Sequence, residues 1–234
     1  MDVAAHTPGT VCWIDIGAPD PDATAAFYGE LFGWTYTASG ADGYRAALLD
    51  GRAVSGLGPA EDPGPPYWTA VLSVEDIDAA AAAFAAAGAR IVVPPAPVAE
   101  LGHAAVVVDP VGAPVSLWQP GTQTGMQAVG EHGAFASIEL LTGRPDEASD
   151  FYRRVLGWHL DGTERRPETG VRGTPPPSPT PQPSLWLVNF TSDDVDATVT
   201  SALRLGATHA GLDCGATVLL RDPAGALFGI VATR

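Results

Sequence analysis

Apolar positions recur at two periods along the chain, and the period changes in the same order twice. VCWIDIGA (11–18) alternates as a half-buried strand does, and ATAAFYGELF (23–32) then recurs at helical spacing until Gly33 supplies a stop. GYRAALLDGRAVSG (43–56) reads as short hairpin strands with Asp50-Gly51 as the turn. A strand from about Tyr67 to Val74 leads into IDAAAAAFAAAG (77–88), where Ile77, Ala80, Ala81, Phe84 and Ala87 share one helix face and Gly88 ends it. Strands near Arg90–Val93, His103–Val108 and Pro114–Trp118 follow.

The second half repeats this layout. Phe27-Tyr28 and Gly33-Trp34 return 124 residues later as Phe151-Tyr152 and Gly157-Trp158. Trp68–Asp78 matches Trp186–Asp196, and Asp109-Pro110-Val-Gly112 matches Asp222-Pro223-Ala-Gly225. Three matched blocks in one order indicate duplication, and their shrinking offset says that the second copy has lost loop residues. Each copy contains two β-α-β-β-β units, so the predicted domains are 8–121 and 134–234, with a polar, glycine-containing linker at 122–133. Seven prolines between Pro167 and Pro183 oppose central-strand pairing and predict an extended loop at the rim of the second copy.

Composition narrows the partners. With 46% hydrophobic residues the chain has apolar material for two modest cores. Its net charge of −15, with all 12 basic residues arginines, disfavours a phosphate backbone, so nucleic acid is not an expected partner. Cys12 and Cys214 show no paired spacing, no apolar run has transmembrane length, and no secretory leader pattern opens the chain. A cytoplasmic location away from membranes is therefore expected. Neither GxGxxG before a helix nor GxxxxGK[ST] occurs, which argues against nicotinamide and nucleoside triphosphates; a flavin held by a curved sheet stays open.

APDPDATAAFYGELFGW, VEDIDAAAAAFAAAGA and VVDPVGAPVSLWQ, with GRPDEASDFYRRVLGW, SDDVDATVTSALRLGA and LLRDPAGALFGIV, resemble the vicinal oxygen chelate superfamily of glyoxalases, bleomycin-resistance proteins and extradiol dioxygenases. The resemblance covers nearly the whole chain and is strongest to two-domain actinobacterial proteins of glyoxalase-like or hydroxylase-like type. It implies an α+β fold: four β-α-β-β-β modules forming two tandem domains, whose curved mixed sheets carry helices outside and a ligand cup inside. Four modules in one chain can replace the dimer of single-domain relatives, so a monomer is expected, with a weak homodimer as the alternative.

Metal-dependent relatives place ligands at positions that fall near Trp13, Thr69 and Ser116 in the first copy and Ser137, Leu187 and Gly229 in the second. None is an imidazole or carboxylate, so neither a metal nor another cofactor is expected. Strand alternation puts Val11, Trp13 and Asp15 toward the first cup, with Cys12, Ile14 and Ile16 under the helix. Phe135, Ser137 and Glu139 correspond in the second, joined by Leu187 and Asn189.

Asp15 and Glu139 are candidate general bases, because burial beside an aromatic ring raises a carboxyl pKa; the alternative is that each accepts structural hydrogen bonds. The Asn189 amide could orient a carbonyl, and His103 could transfer protons at the cup rim. Trp13, Trp118, Thr69, Phe135, Ser137, Leu187 and Arg221 complete the candidate substrate contacts, the indoles suiting an aromatic or polyketide-like small molecule. Arg45, Arg165, Arg166 and Arg172 are further cations near the cavity openings.

Two functions compete. One is a metal-independent enzyme that uses acid–base chemistry on a cyclic or aromatic secondary metabolite, by isomerisation, cyclisation, hydration or related oxygenation. The second cup is the expected chemical site, and the first the aromatic binding site. The other function is a non-catalytic protein that sequesters an antibiotic or aromatic metabolite.

Overall fold

A computed structural model describes residues 6–40, 42–60, 64–158, 173–174, 184–211 and 217–233. The first copy contains β1 (Val11–Ala18), α1 (Pro21–Phe32), β2 (Thr35–Tyr36), β3 (Arg45–Leu49), β4 (Arg52–Pro59), β5 (Trp68–Ser73), α2 (Ile77–Ala86), β6 (Arg90–Val98), β7 (Gly102–Val108) and β8 (Pro114–Pro120). The second contains β9 (Phe135–Leu141), α3 (Pro145–Leu156), β10 (Gly173–Thr174), β11 (Leu185–Ser192), α4 (Val195–Arg204), β12 (Thr208–His209), β13 (Val218–Arg221) and β14 (Leu227–Ala232).

Local signals set the helix ends. Asp20 accepts hydrogen bonds from the N–H groups of Asp22 and Ala23 at the start of α1, where Pro21 has no N–H to satisfy. Gly33 and Gly157 close α1 and α3 at φ 74° and 68°, a left-handed conformation that costs a glycine little. Asp50 and Gly51 both have positive φ between β3 and β4, as a two-residue hairpin turn requires.

The first sheet runs β2-β3-β4-β1-β5-β8-β7-β6, so two complete modules meet at the β1–β5 pair. The second runs β10-β9-β11-β14-β13-β12. Between α3 and β11 the two-residue strand β10, parallel to β9, is the only strand among the described residues. The proline-rich segment expected at the rim lies otherwise outside the described residues, as do Arg165, Arg166, Arg172 and Cys214.

One core, rather than the two expected, joins the copies. Tyr28 and Trp34 of the first copy pack against Trp68, while Phe190 of the second lies 5.2 Å from the Trp68 ring. Phe151, Tyr152, Trp158 and Trp186 build a matching aromatic group, which reaches back to the first copy through Phe84. Burying a ring of this size contributes about 1.5–3 kcal/mol, so the two copies stabilise one another through helix-side residues. The opposite faces of the two sheets are those expected to form the cups. Among the described residues no helix is long and apolar enough to cross a membrane.

Candidate functional site

Register defines the faces of the first cup. Asp15 lies opposite Thr69 on β5 and Gly56 on β4, Trp13 opposite Val71, and Val71 opposite Ser116, so these residues share one face. Alternation then breaks at Cys12, because β1 shifts register between Val11 and Trp13. This bulge pairs Val11 with core residue Leu72, against the expected inward position. Cys12 is buried in the core, where desolvation pushes its thiol up to about 12. A thiol so protonated is a poor nucleophile.

The same break recurs in the second copy and corrects another expectation. Asn189 pairs with Ser137 but Phe190 pairs with Phe135, so the extra residue is Ala136. Phe135 therefore shares a face with core residue Phe190 and does not line the cup. Period-2 counting fails wherever a strand carries an extra residue.

Asp15 anchors the polar cluster of the first cup. Its Oδ1 accepts a hydrogen bond from Trp13 Nε1 at 2.9 Å and from the Tyr44 hydroxyl at 2.6 Å. Trp13 Nε1 also donates to the Tyr44 oxygen at 2.9 Å, closing a three-membered cluster. Desolvation raises the Asp15 pKa above the ordinary carboxylate range, and the hydrogen bonds from Tyr44 and Trp13 only partly offset it. Burial and the neighbouring Asp15 charge likewise push the Tyr44 phenol up, so Tyr44 stays protonated and donates.

Tyr44 escaped the sequence reading because it lies in a turn just before β3. Gly56 and Gly58 were its signal. Glycine within a strand marks close approach, and a Cβ at Gly56 would come within 1.8 Å of the Tyr44 oxygen and 2.0 Å of Asp15 Oδ1.

The other predicted contacts separate. Trp118 shares the cup face through its pairing with Ser73 and donates its indole N–H to the Gln123 carbonyl at 3.0 Å. His103 pairs with Gln119, whose side chain accepts from the Ile77 N–H at the start of α2. His103 is thus exposed on the helix-bearing face, not at the cup rim as expected, because strand alternation turns it away from Trp118. Arg45 pairs with Asp22 at 2.6 Å and lies over the Tyr36 ring.

The second cup holds a more enclosed polar cluster. Asn189 Nδ2 donates to Ser137 Oγ at 3.1 Å and to Glu139 Oε1 at 3.3 Å, and Thr217 Oγ1 donates to the same carboxylate oxygen at 3.4 Å. Asn189 is parallel-paired with Gly229 as Asp15 is with Gly56, and a Cβ at Gly229 would come within 2.0 Å of Asn189 Oδ1. Leu141, Leu187, Leu219 and Leu227 form an apolar group of their own beside this cluster. Glu139, Leu187 and Asn189 are buried and Ser137 is partly open in the second cluster, whereas in the first Trp13 is buried and Asp15, Thr69 and Trp118 are partly open. Arg221 is exposed and donates to the Gly225 carbonyl of its own turn at 3.2 Å.

The glyoxalase-like domain family matches this chain twice, over residues 12–118 and 137–231. The chain belongs to that family. It is 33% identical over 266 residues to the anthracycline biosynthesis protein DnrV of Streptomyces peucetius, an alignment covering 97% of this chain and 94% of DnrV. It is 32% identical over 249 residues to CFP32, a candidate glyoxylase of Mycobacterium tuberculosis, covering 97% and 95%. The Mn(II)-bound glyoxalase of Novosphingobium aromaticivorans shares the vicinal oxygen chelate fold at a TM-score of 0.66 and 18% identity, over 97% of this chain and 82% of that one.

That manganese enzyme makes the donor set of this family member worth testing. The positions at which the resemblance places metal ligands present an indole at Trp13, hydroxyls at Thr69, Ser116 and Ser137, an alkyl group at Leu187 and no side chain at Gly229. Among the described residues no three His, Cys, Asp or Glu side chains come together as ion ligands. Asp15 and Glu139 lie in different sheets, each beside neutral donors that already engage one oxygen. Such a set does not fit a first-row divalent ion, which takes three or more nitrogen, sulfur or carboxylate ligands.

Proposed function

We propose that this glyoxalase-like protein is an enzyme of secondary metabolism that acts on a cyclic or aromatic small molecule by metal-independent acid–base chemistry in its first cup. The observation that carries the reading is Asp15: a cup-facing carboxyl raised in pKa by burial, with Oδ1 fixed by Trp13 and Tyr44. Kinship to DnrV supports the substrate class.

In this reading Asp15 takes a proton from carbon next to a substrate carbonyl, becoming the neutral acid, and returns it at a second carbon or oxygen. No net oxidation occurs. A carboxyl with a raised pKa is a stronger base than an exposed one and holds the proton long enough to return it. The hydroxyls of Thr69 and Ser116, on the same face, stabilise the enolate oxygen, and Trp13 and Trp118 hold the ring plane. The choice of the first cup over the second follows from access, since Glu139 and Asn189 are enclosed where Asp15 is partly open.

The test is turnover of polycyclic hydroxyquinones, followed by mass-resolved chromatography in the presence of a chelator. Asp15→Asn should lose about 100-fold or more in kcat, a larger factor than the accompanying loss of ligand affinity. Binding without turnover in the wild-type chain would instead establish a sequestering protein.

A further inference from the structure

We propose that the first cup recognises a phenolic hydroxyl on a planar ring, and that Tyr44 occupies this seat as a built-in surrogate which the ligand displaces. The inference rests on the first cup being the ligand site and names the chemical group that it reads.

Tyr44 already displays the recognition. Its hydroxyl donates to Asp15 Oδ1 at 2.6 Å and accepts from Trp13 Nε1 at 2.9 Å. A carbonyl could not donate to the carboxylate, and an ammonium could not accept from the indole; a hydroxyl satisfies both. The ring rests on bare backbone. A Cβ at Gly58 would lie 3.3 Å from Tyr44 Cδ2, and one at Gly56 would overlap the hydroxyl. Both glycines fall on the same face of β4, two residues apart, and make a flat floor for an aromatic plane. Glycine weakens a strand interior relative to alanine, so two on one face imply a close approach that the fold retains.

Tyr44 is also placed to leave. It belongs to the turn in which the Gly40 N–H donates to the Tyr44 carbonyl and the Gly43 N–H to that of Gly40, and its backbone N–H donates to Asp42. The residue is 39% exposed, unlike the enclosed Tyr28 and Tyr152 of the core. Rotation about its side-chain bonds would vacate the floor without opening a ladder of the sheet. The incoming phenol would then restore both hydrogen bonds, and the net gain would come from the wider ring system buried against Trp13.

The experiment titrates the full chain with 2-hydroxyanthraquinone and, separately, 2-methoxyanthraquinone, read by calorimetry and tryptophan quenching. The wild-type protein should bind the hydroxyl compound and prefer it to the methyl ether. Removing the competitor in Tyr44→Ala should tighten hydroxyl binding about tenfold, the scale of one hydrogen-bonded group no longer displaced, and should keep that preference. Tyr44→Phe, which keeps the ring and loses the anchor, should shift affinity the same way by less and covers the case in which the alanine variant is unstable. Gly56→Ala should abolish binding in either background while circular dichroism stays native.

Wild-type binding with no gain in either Tyr44 variant would overturn the displacement and leave the acid–base reading standing. Equal affinity for the two compounds in every variant would overturn hydroxyl recognition alone. Absence of binding in wild type and variants alike would remove the aromatic-ligand reading together with this one.

Discussion

Tyr28 of the first copy donates its hydroxyl hydrogen to Asp222 of the second across 3.1 Å, and Tyr152 returns the same bond to Asp109 at 2.8 Å. Each phenol comes from a Phe-Tyr pair and each carboxylate from an Asp-Pro-x-Gly turn, so the two duplicated sequence signatures meet one another across the copies. The same carboxylates also hold their own turns: Asp222 Oδ1 accepts from the N–H groups of Ala224 and Ala226, and Asp109 Oδ1 from that of Ala113.

Tyr28→Phe tests this exchange. It removes the bond to Asp222 and leaves the Trp68 indole N–H, which donates to the Tyr28 oxygen at 3.1 Å, without its acceptor. Loss of buried partners of this kind costs about 1–3 kcal/mol, read as a lower urea midpoint at an unchanged slope. A shift below about 0.5 kcal/mol, within the range of neutral surface substitutions, would show that the bond contributes nothing.

Gly229→Ala probes the second cup without touching the first. Its new Cβ would fall 2.0 Å from Asn189 Oδ1 and 2.7 Å from the Thr217 methyl, so the Asn189 amide must shift and strain its bonds to Ser137 and Glu139. Overpacking of this kind costs about 1–3 kcal/mol. On the proposed reading, affinity for an aromatic ligand of the first cup stays at the wild-type value. A parallel loss of stability and ligand affinity would place the ligand in the second cup.

The fold was legible because its signals were local and duplicated: the Asp20 cap, the Gly33 and Gly157 stops and the Asp50-Gly51 turn are each written in a few neighbouring residues. The cup faces were legible only up to the bulges. Cys12 and Ala136 lie at equivalent places in the two copies, and each reverses the alternation for the residue before it, which is why Val11 and Phe135 were misassigned together. His103 failed for another reason: nothing in its own strand says which face α2 covers. Tyr44 depends on a contact with Gly56 that only the folded sheet brings about, although the two strand glycines hinted at it.

Chelation should leave the protein unchanged. With Asp15 and Glu139 in separate cups, each beside neutral donors, exhaustive dialysis against EDTA is expected to alter neither the thermal midpoint nor turnover. Elemental analysis of the same sample gives the independent check. A stoichiometric first-row metal whose removal lowers the midpoint by several degrees would require a ligand set other than the described side chains.

Stability should rise as the solution is acidified from neutrality. Burial holds the carboxyls of Asp15, Asp109 and Asp222 above their ordinary range, more strongly than their hydrogen bonds lower them. Unfolding returns each to about 3.9, so between that value and the folded pKa the native chain binds more protons than the unfolded one. Stability from these groups is therefore complete below the unfolded pKa and is lost as pH rises through the folded one. The formal net charge of −15 acts in the same direction, since partial protonation relieves self-repulsion. The midpoint of thermal unfolding should accordingly increase as pH falls from neutrality toward the unfolded carboxyl value of about 3.9. Asp15→Asn, which removes one raised carboxyl without touching the bonds between the copies, should flatten that slope. A midpoint that falls over this interval in the wild-type chain would mean that the three carboxyls are ionised and stabilised in the native protein, and Asp15 would lose the elevated basicity on which its proposed role depends.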